Sequence, residues 1–305
     1  MPDDSDELLA WAREGKLLRL RRHAEGALKL RTGPGVFKLT AASRLAAATA
    51  TALAESGLLR GSGIDWGCGS GVLALLAARS PNVDRVVGLD LEPANIQAAA
   101  ENAASNGLIE KTHFHVAESF EPLDGTRLAP VDFVLANAPA SPFDDGFKFR
   151  RRILKEGSKL LRPGGYVVLQ MVSYYGPERI RQAVREVPGM RYLGLCSSSG
   201  WVPVDVSRQR EVGCIAGGTM LTQLQDFADE ERRGGLRYHC HPRGSVEPPA
   251  EGDDAEVFDP PLEEVGPEDE TFSAVETLEM LSEGRIDEPL CRWQCQLFQW
   301  APPGK

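Results

Sequence analysis

A glycine-rich turn after a short apolar stretch is the feature of this sequence whose residue types point most directly to chemistry. Glycines alternate with other residues in Gly67-Cys68-Gly69-Ser70-Gly71, and residues 72–77 continue as an amphipathic helix. Without Cβ atoms the backbone adopts unusual dihedral angles, and a ligand lies directly against it. The free N–H groups that begin the next helix favour a carboxylate or another anionic group. The stretch therefore predicts a ligand site at the end of a strand.

A carboxylate at a defined distance from the turn limits which ligands the site could bind. A second strand is predicted over residues 85–90, and it ends at Asp90, nineteen residues after Gly71. An acid at that distance typically accepts hydrogen bonds from ribose hydroxyls. Nicotinamide dinucleotides and S-adenosylmethionine both carry this ribose, so the spacing leaves both open. Dinucleotide enzymes favour a glycine three positions after the second glycine of the turn, where this chain has Val72.

The residues of the turn also carry a family resemblance. The segment from Asp65 to Gly71 resembles the first motif of class I S-adenosylmethionine-dependent methyltransferases, with an acid two residues before the first glycine. Leu161-Arg162-Pro163-Gly164-Gly165 before a predicted strand is similar to the same superfamily. Gly35-Val36-Phe37 before a helix resembles the small-domain group, which includes RNA base and release-factor glutamine methyltransferases. The resemblance implies an α/β, Rossmann-like fold with a seven-stranded, mostly parallel sheet, helices on both faces, and S-adenosylmethionine as the cofactor.

The resemblance assigns roles to residues at the ends of the predicted strands. Asp90 would bind the ribose, Glu118 the adenine amino group and the Ser119 backbone N–H a ring nitrogen, while Leu91 would form an apolar wall. Asp65 would orient the glycine loop or reach the methionine amine. An exposed loop acid is the alternative interpretation of Glu118. The expected cofactor residues are Asp65, Gly67, Cys68, Gly69, Gly71, Asp90, Leu91, Glu118, Ser119 and Asn137.

The predicted fourth strand ends at Asn137-Ala138-Pro139-Ala140, where the family places its chemistry. Members that methylate a planar nitrogen carry Asn or Asp, Pro, Pro and an aromatic residue here. A side-chain carbonyl and a backbone carbonyl that accept both hydrogens of such a nitrogen align it with the sulfonium methyl group. This chain keeps Asn137 and Pro139, the expected catalytic residues, and has alanine at the other two positions; Phe143 is a candidate for the missing stacking face. A plain turn residue at the end of a strand is the alternative for Asn137.

Charge is distributed unevenly along the chain. The net charge is −10, but residues 246–290 contain sixteen acids and one arginine, so the remainder is positive by about five charges. Positive charge concentrates in residues 13–44, predicted to contain a hairpin, and in residues 148–162. Basic segments beside a methyl-donor site suit RNA or a protein of a ribonucleoprotein as the substrate. A solvated strand face is the alternative for residues 13–44.

The order of these segments predicts four regions. Residues 1–57 would form an N-terminal extension of helix, basic hairpin and helix, and residues 58–200 the cofactor-binding core. Residues 201–290 would be an insertion, partly disordered and acidic, with helices near 221–233 and 273–282. Residues 291–305 would supply the strand that completes the sheet.

Composition limits the cellular compartments and the functions that fit this chain. No apolar run approaches the length of a membrane span, and the six scattered cysteines favour reduced thiols in a cytoplasm. Cys291 and Cys295 on a strand would lie about 13 Å apart, too far for one zinc ion, so no metal is expected. The predicted function is methylation of a nitrogen on RNA or on a protein of the translation machinery. Methylation of a small metabolite and a non-catalytic cofactor-binding module are the alternatives, and the oligomeric state is left open.

Overall fold

Strands and helices alternate along most of the computed structural model of this chain. The structure describes residues 28–30, 36, 40–121, 130–141, 144–199, 202–203, 220–241, 271–286 and 289–302. The helices are α1 (Ala41–Glu55), α2 (Val72–Ala78), α3 (Pro93–Ser105), α4 (Lys148–Gly157), α5 (Gly176–Arg185), α6 (Met220–Arg232) and α7 (Ala274–Ser282). The strands are β1 (Gly61–Trp66), β2 (Val83–Asp90), β3 (Thr112–Val116), β4 (Val131–Ala136), β5 (Leu161–Val172), β6 (Met190–Ser198), β7 (Val202–Pro203), β8 (Leu290–Cys291) and β9 (Trp293–Trp300).

Seven of these strands form one sheet in the order β3-β2-β1-β4-β5-β9-β6. The first five are parallel to their neighbours, and β9 runs antiparallel between β5 and β6. The expected seven-stranded, mostly parallel α/β sheet is confirmed. The chain moves outwards from β1 through β2 to β3 and then returns to the other side of β1 as β4. This reversal creates a crevice at the carboxyl ends of β1 and β4, where ligands bind in such sheets.

Both faces of the sheet are covered, because alternate residues of a strand point to opposite sides. On β4, Val134 and Ala136 join one apolar cluster with residues of α4 and α5. Phe133 and Leu135 join the other cluster with residues of α1 and α2. Each of these four side chains is buried.

Local chemistry fixes where the helices begin. Thr40 caps α1, since its hydroxyl accepts from the N–H of Ser43 while the Ser43 hydroxyl oxygen accepts from the backbone N–H of Thr40. Pro93 stands at the start of α3, where a missing N–H costs nothing. Gly71 precedes α2 with a φ of 85°, in the left-handed region that glycine adopts readily.

The region between β6 and β9 contains both helices expected there, α6 and α7. Short bridges connect Cys240 to Phe272 and His241 to Leu290. The hairpin expected within residues 13–31 lies outside the described residues, apart from residues 28–30, which form no regular structure.

Candidate active site

The carboxyl ends of four parallel strands bring the expected site residues to one edge of the sheet. Trp66 is level with Leu89 of β2 and Ala136 of β4, and Asp90 is level with Val116 of β3. The glycine turn, Asp90, Glu118 and Asn137 each follow or end one of these strands. The register therefore places the expected cofactor and acceptor residues beside one another.

The three glycines of the turn have different surroundings. Gly67 is exposed with a φ of 67°, and a Cβ there would meet no atom within 4 Å. A Cβ on Gly71 would lie 3.0 Å from the Cβ of Ala99, so this glycine allows α3 to approach closely. Gly69 is buried with a φ of 52°. Gly67 thus leaves an open surface for a ligand, while Gly71 serves the packing of the turn.

The side chain of Cys68 points into the protein, and only its backbone belongs to the surface of the turn. Its thiol is buried, and its N–H donates to the carbonyl of Leu89 at 2.9 Å. Burial raises the pKa of this thiol well above its usual value, and the nearby carboxylates of Asp65 and Asp90 raise it further. The thiol therefore stays protonated and is a poor nucleophile.

Asp65 combines a cap with an unpaired oxygen. Its side chain is buried, and Oδ2 accepts from the N–H of Ala74 at 2.9 Å, which caps α2 in place of Gly71. Oδ1 is buried without a hydrogen-bond partner among the described residues. Burial raises the pKa of Asp65 to about 7, against the opposing hydrogen bond from Ala74, and the charge of Asp90 adds to the rise. The unpaired oxygen is an acceptor for a donor that the chain itself does not supply.

Asp90 ties the glycine turn to the second strand. Its Oδ2 accepts from the N–H of Gly69 at 2.8 Å, and its Oδ1 accepts from the N–H of Glu92 and the Nδ2 of Asn95, both at 3.0 Å. Oδ1 thus accepts two hydrogen bonds, whereas Oδ2 has a further lone pair available to a ribose hydroxyl. Leu91, the expected apolar wall, is 55% exposed at the adjacent position.

The expected adenine residues are already engaged with neighbours. Glu118 is exposed and its Oε1 lies 3.1 Å from Nη1 of Arg152. The Ser119 N–H donates to Oε2 of Glu121 at 3.0 Å, so an adenine nitrogen that took this N–H would displace Glu121. The Ser119 hydroxyl is buried, where it donates to Glu156 at 2.6 Å. Sequence reasoning did not find Arg152, because its role depends on contacts more than thirty residues away along the chain.

Asn137 is held in one orientation by the first turn of α1. Its Nδ2 donates to Oγ of Ser43 at 3.1 Å, and the same oxygen accepts from the N–H of Thr40 at 3.3 Å. Two accepted bonds fill the lone pairs of the hydroxyl, whose own proton then goes to Thr40 Oγ1 at 3.1 Å. With Nδ2 donating to Ser43, Asn137 Oδ1 is available as an acceptor. No pattern in the sequence signalled Ser43.

The backbone after Asn137 is held by a buried arginine. Arg150 is 2% exposed, and its Nη2 donates to the carbonyl of Ala138 at 2.8 Å while its Nη1 donates to that of Pro139 at 3.1 Å. A backbone carbonyl expected to receive an acceptor hydrogen is thus already bonded, with one lone pair remaining. Pro139 itself is exposed. Phe143, the candidate stacking residue, lies outside the described residues.

Several positive charges in residues 148–162, which were expected to contact the substrate, are instead buried or paired within the chain. Arg150 is buried, Arg151 pairs with Asp145, and Arg162 pairs with Asp132. Arg152 contacts three carboxylates, those of Glu118, Glu121 and Glu156. These four guanidinium groups therefore present less positive charge than the sequence of residues 148–162 suggests.

Residues 28–30 of the other basic segment, 13–44, lie at the end of the sheet opposite the glycine turn. The backbone of Lys29 exchanges two hydrogen bonds of 2.9 Å with the side chain of Asn106. Asn106 ends α3, and the chain then enters β3 at its amino end, away from the glycine turn. Lys29 therefore lies away from the glycine turn, whereas Ser43 of the same segment contacts Asn137 at the carboxyl end of β4.

Comparison with known proteins gives the family. A family model described as a methyltransferase domain matches residues 61–213, half of the chain. The chain belongs to this methyltransferase family. The match includes the glycine turn, Asp90, Glu118 and Asn137, and it confirms S-adenosylmethionine as the cofactor.

Sequence relatives cover a smaller part. A ribosomal protein L11 methyltransferase from Photobacterium profundum is 37% identical over 101 residues, which are 33% of this chain and 32% of that protein. One from Azotobacter vinelandii is 33% identical over 147 residues, 48% of this chain and 45% of that protein. The chain thus spans a third to just under half of these relatives. The crystal structure of TrmN from Thermus thermophilus matches with a TM-score of 0.39 and 27% identity, covering 50% of this chain and 43% of that one.

The site of this methyltransferase domain fits its cofactor. The open backbone at Gly67 admits a ligand, and the unpaired Oδ1 of Asp65 is an acceptor suited to an ammonium group. Asp90 offers acceptor capacity for the ribose.

Among the described residues, no group of three or more His, Cys, Asp or Glu side chains is arranged to hold a metal ion. None of the described helices is long and apolar enough to cross a membrane.

Proposed function

We propose that this protein methylates a nitrogen atom of a protein of the translation machinery, with Asn137 as the residue that holds the acceptor. The observation that carries the proposal is the fixed orientation of Asn137, whose Nδ2 is held by Ser43 so that Oδ1 is left to accept a hydrogen bond. Asn137 follows β4 at the same edge of the sheet as the glycine turn. An acceptor nitrogen bound there would lie beside the methyl donor.

S-Adenosylmethionine, when bound, supplies a methyl group that its sulfonium charge already activates. In this proposal the backbone at Gly67, with Asp65 and Asp90, holds the cofactor, and Glu118 with Leu91 borders its adenine. Asn137 Oδ1 accepts a hydrogen of the acceptor nitrogen and aims its lone pair at the methyl group. The cofactor would supply the methyl group and keep the electron pair of the broken carbon–sulfur bond, and the acceptor nitrogen would release its proton to solvent. Alignment and exclusion of water contribute more here than a strong base.

The substrate class rests on the relatives and on charge. The relatives named above are ribosomal protein L11 methyltransferases, which supports a ribosomal protein as the substrate. Arg150, Arg151 and Arg152 are bonded internally, which leaves less positive charge for an RNA backbone. A translation substrate also accords with a cytoplasmic location.

The test follows tritium from methyl-labelled S-adenosylmethionine into an extract of cells that lack this protein. The labelled extract is divided between ribonuclease and protease digestion, and a parallel reaction uses the Asn137→Ala variant. Label released by protease from the wild-type reaction, and strongly reduced with the variant, is the expected result. Label released by ribonuclease would replace the protein substrate with RNA, and label in small molecules alone would favour the metabolite alternative. Cofactor binding without any transfer would favour a binding module.

A further inference from the structure

The loop that carries Asn137 is held in place by side chains from outside it. This acceptor loop comprises residues 137–147, of which 137–141 and 144–147 are described. The carbonyl of Gly146 accepts from the hydroxyl of Tyr175 at 3.1 Å and from Nη1 of Arg150 at 3.2 Å. Arg150 also holds the carbonyls of Ala138 and Pro139. Both ends of the loop are therefore fixed to the same buried guanidinium group.

The two described helices between β6 and β9 are tied to one another by hydrogen bonds. Glu231 in α6 accepts from the N–H of Tyr238 at 2.6 Å and from the N–H groups of Ala274 and Val275 at 3.2 and 3.1 Å. Its carboxylate therefore caps α7 and fixes the segment after α6 at the same time. This unit, residues 220–241 and 271–286, is called the helical insertion below.

One side chain of the helical insertion reaches the acceptor loop directly. The hydroxyl of Tyr238 donates to the carbonyl of Asp145 at 2.7 Å. Its ring is fully buried and stacks on Phe227 of α6, with 4.0 Å between ring centroids. The hydroxyl is thus aimed by packing inside the insertion, and its partner is the backbone of the loop.

A buried arginine joins the same three parts of the molecule. Arg179 of α5 has no exposed surface, and its guanidinium lies 3.6 Å from the ring centroid of Tyr238. Its Nη1 and Nη2 donate to the carbonyls of Arg237 and Leu236 at 2.6 and 2.5 Å, and its Nε lies 3.8 Å from Oδ2 of Asp145. From its place in the core, Arg179 therefore contacts both the helical insertion and the acceptor loop.

We propose that the helical insertion is a buttress of the acceptor loop, and that Tyr238 is a positioning residue for methyl transfer through its bond to Asp145. The proposal rests on the function proposed above, in which Asn137 holds the acceptor. Loss of the Tyr238 hydroxyl leaves a carbonyl of the loop without its donor and gives the loop more freedom. Misalignment of the acceptor lowers turnover, while the cofactor residues on the far side of the crevice are untouched.

The test uses the full-length chain with Tyr238→Phe, which removes one hydroxyl and keeps the buried ring. Tyr192→Phe is the matched control, because the Tyr192 hydroxyl donates to Gln296 at 2.7 Å between β6 and β9, remote from the loop. Turnover of Tyr238→Phe with the methyl acceptor should fall about tenfold, whereas its cofactor Kd should stay within about twofold of wild type. The control should match the wild-type protein in both.

Hydrogen exchange gives a second measurement that needs no methyl acceptor. Amides of residues 144–147 should exchange faster in Tyr238→Phe than in wild type, and those of β1 and α2 should be unchanged. Wild-type exchange in the loop, or faster exchange with wild-type turnover, would overturn the positioning role, as would an equal effect of Tyr192→Phe. If the wild-type protein methylates no acceptor, the proposed function fails, while the exchange comparison still decides whether the insertion holds the loop.

Discussion

The side chains of Ser43 and Asn137, separated by 94 residues along the chain, meet at 3.1 Å at the carboxyl end of β4. The contact joins the capping box of α1 to the residue proposed to hold the acceptor. A structural feature that starts a helix therefore also holds the amide nitrogen of Asn137.

Substitution Ser43→Ala should lower turnover by about tenfold, because Asn137 loses the partner that orients its amide. The cofactor Kd should stay close to that of wild type, and Ser43→Thr should restore most of the activity. Steady-state kinetics with calorimetric cofactor titration measure both quantities. The matched control is Ser56→Ala, whose hydroxyl donates to the carbonyl of Leu53 at the other end of α1. An equal loss in Ser56→Ala would show that helix stability, rather than the contact with Asn137, is responsible.

Substitution Asp90→Ala should weaken cofactor binding by about 1.5–3 kcal/mol, as for a lost hydrogen bond to a charged group. The variant loses both the proposed ribose acceptor and the bond to the N–H of Gly69. Asp132→Ala is the control, since Asp132 accepts from the N–H of Ser62 at 2.8 Å at the other end of β1. Calorimetry on the three proteins gives the comparison, and wild-type affinity in Asp90→Ala would refute the ribose assignment.

The contribution of Asp65 to the stability of the cofactor-free protein should fall as the pH rises from about 4 to about 7. Burial raises the pKa of this carboxyl to about 7 from its ordinary 3.8, so the folded chain keeps a proton that the unfolded chain has lost. The loss amounts to about 4 kcal/mol at most. Denaturant unfolding of wild type and Asp65→Asn at several pH values isolates this contribution as their difference. That difference should change over this range in favour of the variant, and a constant difference would contradict the assignment.

Substitution Arg152→Gln should raise the cofactor Kd a fewfold, because Glu118, the residue proposed for the adenine amino group, loses the partner that holds it. The effect should shrink at high salt, since this ion pair is partly exposed. Arg162→Gln is the control, as Arg162 pairs with Asp132 far from the adenine residues. Cofactor titrations at two salt concentrations distinguish the two variants. Equal Kd values for both would show that Arg152 has no specific part in cofactor binding.

The fold was predictable because its signals are local. The glycine turn, the acid at the end of β2 and the apolar strands each lie within a few residues of sequence, and the strand order follows from the rules for parallel sheets. Asp65, Gly67 and Asp90, the residues proposed to hold the cofactor, could be named for the same reason. What their side chains contact could not, since those contacts depend on packing between distant segments.

The run Arg150-Arg151-Arg152 shows why the acceptor side was harder to predict. Neighbouring positions on a helix point in directions about 100° apart. Arg150 therefore enters the core, Arg151 turns to Asp145, and Arg152 turns to the carboxylates near the adenine residues. Three consecutive arginines therefore make three different sets of contacts, whereas composition alone predicts only a positively charged surface.

The position of β9 determines when the sheet can be completed during synthesis. β5 and β6 follow one another along the chain but do not pair, and β9 lies between them. A growing chain that has reached Ser198 must add the 94 residues before Trp293 to close this gap. At ordinary rates of protein synthesis that takes roughly 5 to 20 seconds, during which two strand edges stay open to association with other chains. This part of its synthesis is therefore a period in which the molecule is exposed to aggregation.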